Sequence, residues 1–356
     1  MTRDITMNSS DLTIAIVGAT GAVGRVSLDL LAGRGHSAGK VIAMASARSA
    51  GRMLPYDGYE LTVIEATPAA FQGVDVAFIS ANSAVSRALA PEAVKRGALV
   101  IDDGSAFRME PGVPLVVPEV NGGDVEWHSG IISIPNCTTT PLTIVLAALR
   151  EVSGIDAVTV ATYQAVTGTG ASAEAELLEQ TEAVLSGAAT HPSVYPHQIA
   201  FNLLPHVDSF LENGYTVEEQ KMLNESRKIL HDPRLPLSAT CVRVPVTVSH
   251  SESVQIEFDR PVSPDEAREA LSVFPGVRVV DDPANNVYPM PLQSTGHDEV
   301  FVGRIRKDVA HENGIALWLS CDNLRKGAAL NALQIMDEVV RRGCLKPSRD
   351  AARTNA

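Results

Sequence analysis

A glycine-rich turn near the N-terminus most constrains the fold of this chain. Leu12 to Val17 is a short apolar run typical of a buried strand, residues 18–24 read Gly-Ala-Thr-Gly-Ala-Val-Gly, and Val23 to Leu31 has helical spacing. Glycines there allow a tight bend, and the helix N-terminus offers free N–H groups and the positive end of its dipole. The segment predicts a strand, turn and helix that hold a dinucleotide pyrophosphate; a turn without a ligand is the alternative.

Further strand and helix signals alternate along the first third of the chain. Strands are predicted at Val41 to Ala45, Val74 to Ile79 and Leu99 to Asp102, with Pro91 to Arg96 inside a helix. Such alternation is typical of a parallel sheet with helices on both faces. We therefore predict a Rossmann-type, doubly wound α/β domain at residues 11–136.

The pattern changes after Pro141. A helix is predicted at Leu142 to Val152, and few helices separate the later strands, as expected for an antiparallel sheet in an α+β domain. Those strands are predicted at Ala157 to Thr162, Cys241 to Val246, Ser253 to Asp259, Phe301 to Arg306 and Ile315 to Ser320. We expect a second domain at 137–323 with a mixed, largely antiparallel sheet. Residues 324–345 should form an amphipathic helix that completes the first domain, and 346–356 a polar tail.

The end of the second predicted strand bears on the choice of dinucleotide. An NAD site places an Asp or Glu there for the ribose 2′-hydroxyl, whereas residues 46–51 read Ser-Ala-Arg-Ser-Ala-Gly. An arginine and two hydroxyls suit a 2′-phosphate, so NADP is the predicted cofactor; an exposed polar loop is the alternative. The candidate cofactor-binding residues of the two turns are Gly18, Thr20, Gly21, Ala22, Val23, Gly24, Ser46, Arg48, Ser49 and Ala50.

Composition argues against several classes of protein. The chain has 29 Lys and Arg against 42 Asp and Glu, a formal charge of −13, which opposes attraction to nucleic acid or an anionic membrane. No apolar run is long enough to span a membrane, and no signal-peptide core is evident. Four scattered cysteines fit a reducing compartment, and His191, His197 and His206 lack metal-binding spacing. We expect a cytoplasmic protein without a metal site.

Cys137 is the candidate nucleophile. It precedes a predicted helix start, with Pro141 in the first turn. A helix N-terminus lowers the pKa of a thiol, and the thiolate is the reactive form; a small buried hydrophobe is the alternative. His250 is the candidate base, although the sequence does not show whether the two side chains meet.

Nine short motifs match one enzyme family in order. They are Gly18-Ala-Thr-Gly-Ala-Val-Gly24, Ser46-Ala-Arg-Ser-Ala-Gly51, Ser105-Ala-Phe-Arg108, Pro135-Asn-Cys-Thr138, Tyr163-Gln-Ala-Val166, Tyr195-Pro-His-Gln-Ile-Ala-Phe-Asn202, Arg243-Val-Pro-Val246, Ser249-His250 and Asp322-Asn-Leu-Arg-Lys-Gly-Ala-Ala329. Together they resemble the aspartate-semialdehyde dehydrogenases of the bacterial type, from about Leu12 to Arg342. The joint match is specific, although each motif alone is not.

The resemblance implies an NADPH-dependent reductive dephosphorylation of 4-phospho-L-aspartate to L-aspartate 4-semialdehyde, which supplies threonine, methionine, lysine and diaminopimelate. Cys137 would form a thioester as phosphate leaves, and His250 would act as general acid and base with a pKa near neutrality. The implied site residues are Cys137, His250, Gln164 and Asn136 for catalysis, Arg108 and Lys221 for the phosphate, Arg243 for the α-carboxylate, Glu218 for the α-amino group, and Thr167, Gly168 and Asn323 near the nicotinamide. The second domain would also form a homodimer.

Several of these residues have structural alternatives. Residues 216–219, Thr-Val-Glu-Glu, read as a capping box, which would make Glu219 structural. Glu218 and Lys221 are three apart and could form a helix ion pair. Asn323 could serve as a helix N-cap.

Two positions depart from the family pattern. Asn82 stands where the family usually carries glycine near the nucleotide, and we expect asparagine to be tolerated because it adopts left-handed backbone angles. Asp103 precedes the motif of Arg108, and its negative charge is expected to weaken phosphate binding there.

Two other functions remain open at this point. N-acetyl-glutamyl-phosphate reductase shares the cysteine chemistry, but Glu218 and Arg243 suit a free amino acid better than an acylated one. A non-catalytic NADP-binding relative would have no need for Cys137, Gln164 and His250 together with Arg243.

Overall fold

The computed structural model describes residues 9–346, which fall into two compact units. The first contains residues 9–135 and 328–346, and the second contains residues 136–327. Beyond Lys346, the predicted polar tail lies outside the described residues. Within the described part of the chain, no helix is long and apolar enough to cross a membrane.

The first unit is built on a six-stranded parallel sheet with the order β5-β2-β1-β6-β7-β8. Its strands, with the separate hairpin β3–β4, are β1 (Ile14–Val17), β2 (Val41–Ala45), β3 (Met53–Tyr56), β4 (Tyr59–Thr62), β5 (Ile64–Glu65), β6 (Val76–Ile79), β7 (Leu99–Asp102) and β8 (Ile131–Ser133). Its first helices are α1 (Ala22–Gly33), α2 (Ser83–Lys95) and α3 (Pro118–Asn121). Every residue of β1, β6 and β7 is buried, as a parallel sheet covered on both faces requires.

The strand order places a crevice at one edge of this sheet. From β1 the sheet extends to β2 on one side and, through β6, to β7 on the other. In such sheets, ligands bind outside the carboxyl ends of the strands where the order reverses. Gly18 follows β1 and Ser80 follows β6, so the glycine-rich turn borders this crevice.

The second unit is built on a six-stranded mixed sheet with the order β10-β9-β11-β14-β13-β12. Its strands are β9 (Ile155–Gln164), β10 (Leu237–Arg243), β11 (His250–Phe258), β12 (Val277–Val279), β13 (Val300–Lys307) and β14 (Gly314–Cys321), and its helices are α4 (Thr139–Arg150), α5 (Ala171–Ser186), α6 (Val217–Ile229), α7 (Pro264–Val273) and α8 (Pro291–Ser294). The pairings β9–β11, β11–β14 and β14–β13 are antiparallel, and the two outer pairings are parallel. The predicted fold class is confirmed.

One predicted strand ends early. The sequence predicts a strand from Cys241 to Val246, whereas β10 ends at Arg243. The Val246 N–H bonds back to the Val244 carbonyl (2.8 Å), and Pro245 has no N–H to continue a ladder. The early end leaves Arg243 at the tip of its strand, beside Gln164 at the tip of β9.

The sheet of the second unit has two different faces. Along β11, His250, Glu252 and Val254 are fully buried, whereas Ser253 and Gln255 are half-buried. The alternation continues on β9 and β10, whereas on β14 Trp318 alone is half-buried. We call this side the open face; it includes the exposed Thr159 and the half-buried Ala161, Tyr163, Ser253, Gln255 and Trp318.

The last helix belongs to the first unit. The sequence predicts one helix over 324–345, but the chain first makes a π-helical turn at Arg325–Ala329 and then forms α9 (Leu330–Arg341). Leu333, Ile335, Met336 and Val339 of α9 are fully buried and lie in the same apolar core as β1 and β7. This contact explains the amphipathic pattern of the segment.

Candidate active site

Cys137 lies at the start of α4, directly before its N-cap residue Thr138. The half-buried thiol lies with Sγ 3.2 Å from Nε2 of His250, so the structure brings the two residues together. The Cys137 N–H donates to Oδ1 of Asn136 (3.0 Å). The position at a helix N-terminus favours the thiolate, which is the nucleophilic form.

The ring of His250 is fixed by a backbone contact. His250 is the first residue of β11 and is fully buried, and its Nδ1 accepts the N–H of Ala165 (2.9 Å). The neutral ring therefore carries its proton on Nε2, the nitrogen that faces Cys137. Burial, followed by the positive charge of Arg243, lowers the pKa of His250 well below its usual value. The predicted near-neutral pKa is therefore wrong for this buried imidazole.

Asn136 is held by several hydrogen bonds. Its N–H donates to Oε2 of Glu225 (2.7 Å), and its side-chain Nδ2 donates to Oε1 of Glu218 (2.7 Å) and to the hydroxyl of Thr138 (3.1 Å). These contacts turn Oδ1 of Asn136 toward the Cys137 N–H. Asn136 thus fixes the backbone of Cys137.

Glu218 accepts hydrogen bonds from two site amides. Gln164, at the end of β9, donates from Nε2 to the same Oε1 that Asn136 contacts (2.9 Å), and its own Oε1 accepts the hydroxyl of Thr162 (3.0 Å). Burial would raise the pKa of Glu218, but Lys221, the two amides and Arg243 outweigh it and hold the pKa below its usual value. Glu218 is therefore a buried carboxylate.

Lys221 sits between two carboxylates. Its Nζ lies 2.8 Å from Asp208 and 3.2 Å from Glu218, three residues earlier on α6. The helix ion pair considered from the sequence is present, but it also belongs to the buried site. Burial lowers the pKa of Lys221 less than Glu218 and Asp208 raise it, so the ammonium is retained. Asp208 has a left-handed backbone (φ 66°) and was not predicted.

Arg243 is buried at the end of β10 with one edge left open. Nη1 donates to the carbonyl of Ala165 (2.7 Å), whereas Nε is buried without a hydrogen-bond partner among the described residues. Leaving a buried donor unpaired is costly, so such a group indicates a missing partner. The Nε–Nη2 edge is the one that binds a carboxylate through two parallel hydrogen bonds.

The three residues expected near the nicotinamide all lie in the second unit, next to His250. The amide of Asn323 donates to the Thr167 hydroxyl (3.2 Å) and accepts the N–H of Ser249 (2.8 Å). A Cβ on Gly168 would lie 3.2 Å from both Nη1 of Arg243 and Nε2 of His250. Gly168 therefore makes the close approach of the 166–168 turn to these side chains possible.

The capping predictions have different outcomes. The box at residues 216–219 is confirmed: the Thr216 hydroxyl accepts the Glu219 N–H, and the Glu219 carboxylate accepts the Thr216 N–H. Asn323 is not the cap of the segment that follows it. Asp322 accepts the N–H groups of Leu324 and Arg325 there, because the Asn323 oxygen is already bonded to Ser249.

In the first unit, two glycines shape the predicted dinucleotide turn. Gly18 has φ 89°, and a Cβ there would lie 2.2 Å from the carbonyl oxygen of Ser80. A Cβ on Gly24 would lie 2.2 Å from the carbonyl oxygen of Gly18, so α1 could not pack so closely on the turn. Gly21 caps α1 without a side-chain hydrogen bond, and Ala22 and Val23 open the helix. These N-terminal amides suit a pyrophosphate.

A pocket of about 470 Å³ opens beside this turn. It is lined by residues that follow β1, β2 and β6, including Gly18, Thr20, Ser46 and Ser80, with apolar side chains from α2. Arg48 and Ser49 lie in a short 3-10 turn directly after β2. Arg48 is exposed and forms no ion pair with any described residue. The residues present therefore fit a nicotinamide dinucleotide.

The two departures from the family pattern lie next to this pocket. Asn82 is extended (φ −66°) rather than left-handed, and its side chain caps α2 by accepting the Val85 N–H (3.1 Å). The expected reason for its tolerance is therefore wrong. Arg108 donates to the main-chain carbonyl of Asp103 (2.8 Å), whose carboxylate accepts the Ser80 hydroxyl. Burial raises the pKa of Asp103, opposed by Arg108 and Ser80.

Sequence reasoning missed several residues of the site. Glu225 lies seven residues after Glu218, on the same face of α6, so helical periodicity could have found it. Ala165 acts only through its backbone, and Asp208 lies in a loop, so no pattern marked either. No group of three His, Cys, Asp or Glu suited to a metal ion occurs among residues 9–346.

The chain resembles known proteins in family, sequence and structure. Residues 13–128 match the semialdehyde dehydrogenase NAD-binding domain, and residues 146–326 match the semialdehyde dehydrogenase dimerisation domain. The aspartate-semialdehyde dehydrogenases of Bacillus subtilis and Aquifex aeolicus are each 49% identical, covering 92% and 93% of this chain and 97% and 99% of theirs.

Solved structures agree with these matches. Aspartate-semialdehyde dehydrogenase II from Vibrio cholerae, complexed with ASA, superimposes with a TM-score of 0.90 at 38% identity, covering 93% of this chain and 98% of that one. The Candida albicans enzyme with NADP gives a TM-score of 0.73 at 26% identity, covering 94% and 99%.

Proposed function

The chain belongs to the aspartate-semialdehyde dehydrogenase family, and from this membership we propose that it converts 4-phospho-L-aspartate to L-aspartate 4-semialdehyde with a nicotinamide dinucleotide. Run in reverse, the reaction is a phosphorylating oxidation of an aldehyde. The observation that carries the proposal lies in the second unit: the Cys137 thiol beside His250, together with the buried charges of Glu218 and Arg243.

Cys137 is proposed to carry the covalent chemistry. Its thiolate attacks the acyl carbon, a C–S bond forms, the C–O bond to phosphate breaks, and phosphate leaves with the electron pair. A bound dinucleotide would supply the hydride that reduces the resulting thioester. The C–S bond of the thiohemiacetal then breaks, releasing the aldehyde and restoring the thiolate.

His250 is proposed to act through its Nε2–H. Because Nδ1 is occupied by the Ala165 N–H, the neutral ring is a hydrogen-bond donor toward Cys137 and toward an oxygen on the carbon bound to it. This donor stabilises the thiolate and the negative charge that develops on the substrate oxygen. Nε2 is also the only ring nitrogen placed to exchange a proton with that oxygen.

The substrate-binding roles follow from the charges of the site. The open Nε–Nη2 edge of Arg243 suits the α-carboxylate, and the buried carboxylate of Glu218 suits the α-ammonium. Gln164 and Asn136 would orient the reacting carbonyl. Phosphate is the proposed ligand of Lys221 and, in the first unit, of Arg108.

We propose NADP as the dinucleotide. Arg48 is exposed directly after β2, the place where an arginine accommodates a 2′-phosphate. The residues proposed to hold the cofactor are Gly18, Thr20, Gly21, Ala22, Val23, Gly24, Ser46, Arg48, Ser49 and Ala50, with Thr167, Gly168 and Asn323 toward the nicotinamide. All four cysteines are free thiols, which fits the proposed cytoplasmic compartment.

Association follows from the family's dimerisation domain. We propose a homodimer in which the open face of the second unit's sheet packs against a second copy. Half-buried small residues such as Ala161 and Ser253 form its middle, and the rings of Tyr163 and Trp318 lie 5.1 Å apart on it. Such a surface packs closely and supplies apolar contact area.

The deciding experiment is phosphate-dependent reduction of NADP, followed by the absorbance of the reduced nicotinamide. L-aspartate 4-semialdehyde and N-acetyl-glutamate semialdehyde are offered in parallel, each with and without phosphate. Turnover of the first alone is expected, because Glu218 requires a free α-ammonium. Turnover of the second alone would contradict the proposed substrate. NADP binding without turnover of either would indicate a non-catalytic relative.

A further inference from the structure

We propose that Tyr195 is a positioning residue that holds the guanidinium of Arg243 in the orientation needed for the substrate α-carboxylate. The proposal deepens the proposed function and rests on it. Tyr195 belongs to a segment, residues 193–200, which we call the strap. Two buried side chains of α5 fasten the strap in place.

The contact with Arg243 is direct. The guanidinium carbon of Arg243 lies over the Tyr195 ring, 5.9 Å from its centroid. Arg243 is only 5% exposed, and a cation held over an aromatic face gains most where water is excluded. The ring therefore attracts the guanidinium toward its face, while the Ala165 carbonyl fixes Nη1. Together they leave the Nε–Nη2 edge free for a carboxylate.

Tyr195 is itself held at its outer end. Its hydroxyl donates to the Thr169 hydroxyl (3.0 Å) and lies 3.5 Å from the Val166 carbonyl. Both partners flank the turn of Thr167 and Gly168, which approaches Arg243 and His250. The ring is therefore pinned between Arg243 and this turn.

Glu176 fastens the near end of the strap. This α5 carboxylate is only 4% exposed, and its Oε2 accepts the Ser193 N–H and hydroxyl (2.7 Å each) and the Val194 N–H (2.5 Å). Its Oε1 accepts the Tyr195 N–H (3.4 Å). Burial would raise the pKa of Glu176, but these donors outweigh it and lower the pKa, so it remains an anion.

Gln180 fastens the far end. It lies one turn after Glu176 on α5, and its Oε1 accepts the N–H groups of Ile199 (2.8 Å) and Ala200 (3.2 Å). Its Nε2 donates to Glu176 (3.2 Å), which links the two anchors. Ile199 and Ala200 also join an apolar cluster with Leu177. The strap is thus tied by side chains to a helix, and Tyr195 is its point of contact with Arg243.

Substitution of Tyr195 tests the contact. In Tyr195→Leu we expect KM for L-aspartate 4-semialdehyde to rise on the order of 10-fold, with kcat and KM for phosphate within about twofold of wild type. Tyr195→Phe retains the ring and should stay within about threefold of wild type. Tyr56→Leu is the matched control: this buried tyrosine of the first unit also has a bonded hydroxyl, to the His36 carbonyl. It should lower stability without raising KM.

Substitution of Glu176 tests the anchor independently of turnover. Amide hydrogen exchange of the peptide covering residues 193–200 is measured in wild type, Glu176→Gln and Glu179→Gln. Glu176→Gln should speed exchange on the order of 10-fold, because fewer acceptors remain for the strap amides. Glu179 is exposed on the same helix, so Glu179→Gln should exchange as wild type does.

These experiments separate failure of the inference from failure of the proposed function. A wild-type enzyme that does not turn over the semialdehyde would defeat the proposed function, whatever the exchange data show. Normal wild-type turnover with an unchanged KM in Tyr195→Leu would overturn the positioning role alone. A fall in kcat shared by Tyr195→Leu and Tyr195→Phe, at constant KM, would also overturn it, and unchanged exchange in Glu176→Gln would overturn the anchor.

Discussion

At the scale of single residues, backbone contacts decide the chemistry of the site. His250 presents Nε2–H to Cys137 because Nδ1 is occupied by the N–H of Ala165. Asn136 orients the nucleophile's backbone, and Gly168 leaves room for two charged or polar side chains. These contacts fix the protonation of His250 and the orientation of the groups around Cys137.

The lowered pKa of His250 predicts the acidic limit of activity. Protonation would place a second N–H on Nδ1, facing the Ala165 N–H, and would bring a positive charge beside Arg243. Activity should therefore be lost only as the pH falls through a pKa below the usual 6.5. The same sign holds for folding: the unfolded chain binds the proton more tightly, so stability falls as the pH drops below 6.5.

The pH profile of kcat/KM for the semialdehyde, at saturating phosphate, checks this prediction. Activity should be constant down to pH 6.5 and decline below it. An acidic limb centred at or above that pH, absent from a His250→Asn variant with residual activity, would contradict it.

Gly168→Ala should damage catalysis rather than folding. The new methyl group would lie 3.2 Å from Arg243 and His250, and both must shift by a few tenths of an ångström. A small misplacement of catalytic groups lowers kcat/KM by about 10- to 100-fold. Gly33→Ala, at an exposed position where nothing lies within 4 Å of the new Cβ, is the control.

Steady-state kinetics and urea unfolding are measured on both variants. Gly33→Ala should keep wild-type kinetics. Gly168→Ala should unfold in urea as wild type does, because the atoms nearest to the new methyl group belong to two side chains of the site. Unchanged kcat/KM in Gly168→Ala would contradict the prediction. It would show that the turn accommodates the methyl group without displacing Arg243 or His250.

At the scale of elements, helix α6 brings three charged groups of the site onto one face. Glu218, Lys221 and Glu225 follow at intervals of three and four residues. The capping box of Thr216 and Glu219 sets where this helix begins, and Glu219 also accepts the N–H of Cys241 on β10 (2.9 Å). The cap therefore positions the charges proposed to bind substrate as well as stabilising the helix.

Thr216→Ala should reveal both effects of the cap. Loss of an N-cap hydroxyl costs about 1 kcal/mol of unfolding free energy. Because the first turn of α6 carries Glu218, KM for phosphate or the semialdehyde should rise roughly threefold or more. Ser263→Ala is the matched control, since Ser263 closes an equivalent capping box on α7, which carries no site residue.

Urea denaturation and steady-state kinetics distinguish the two variants. Both should lose similar stability, and only Thr216→Ala should change KM. Equal KM values in the two would assign the cap a purely structural role.

At the scale of the whole molecule, two surfaces of residues 9–346 are proposed to bind partners. The dinucleotide pocket lies at the carboxyl edge of the first sheet, and the open face lies on the second. Ser253 pairs with Ala161 and Trp318 on the neighbouring strands, so it lies within the open face rather than at an edge. A large charged side chain there should prevent close packing of two sheets.

Ser253→Arg is therefore expected to dissociate the dimer. Sedimentation equilibrium at micromolar protein should give twice the 37.7 kDa chain mass for wild type and the single-chain mass for the variant. Ser272→Arg, at an exposed position on α7, makes the same change outside the open face and should remain dimeric. If Ser253→Arg remains dimeric, the dimer interface does not lie on the open face.

Much of the architecture was predictable because it depends on local patterns. Continuous apolar runs indicated the buried strands of the first sheet, and β2 and β7 have the predicted bounds. Where the structure differs, a non-local or backbone reason applies. β10 stops at Arg243 at a turn containing Pro245, and the last helix opens with a π-helical turn.

The sequence by itself determined the fold class, the family and the candidate chemical groups. Glycines at residues 18–24, apolar periodicity and an ordered set of motifs are local properties that a linear chain displays. The tertiary structure alone decided that Cys137 meets His250, that Nε2 carries the proton, and that Tyr195 lies over Arg243. These depend on contacts between residues far apart in the chain, and on burial, which no local pattern records.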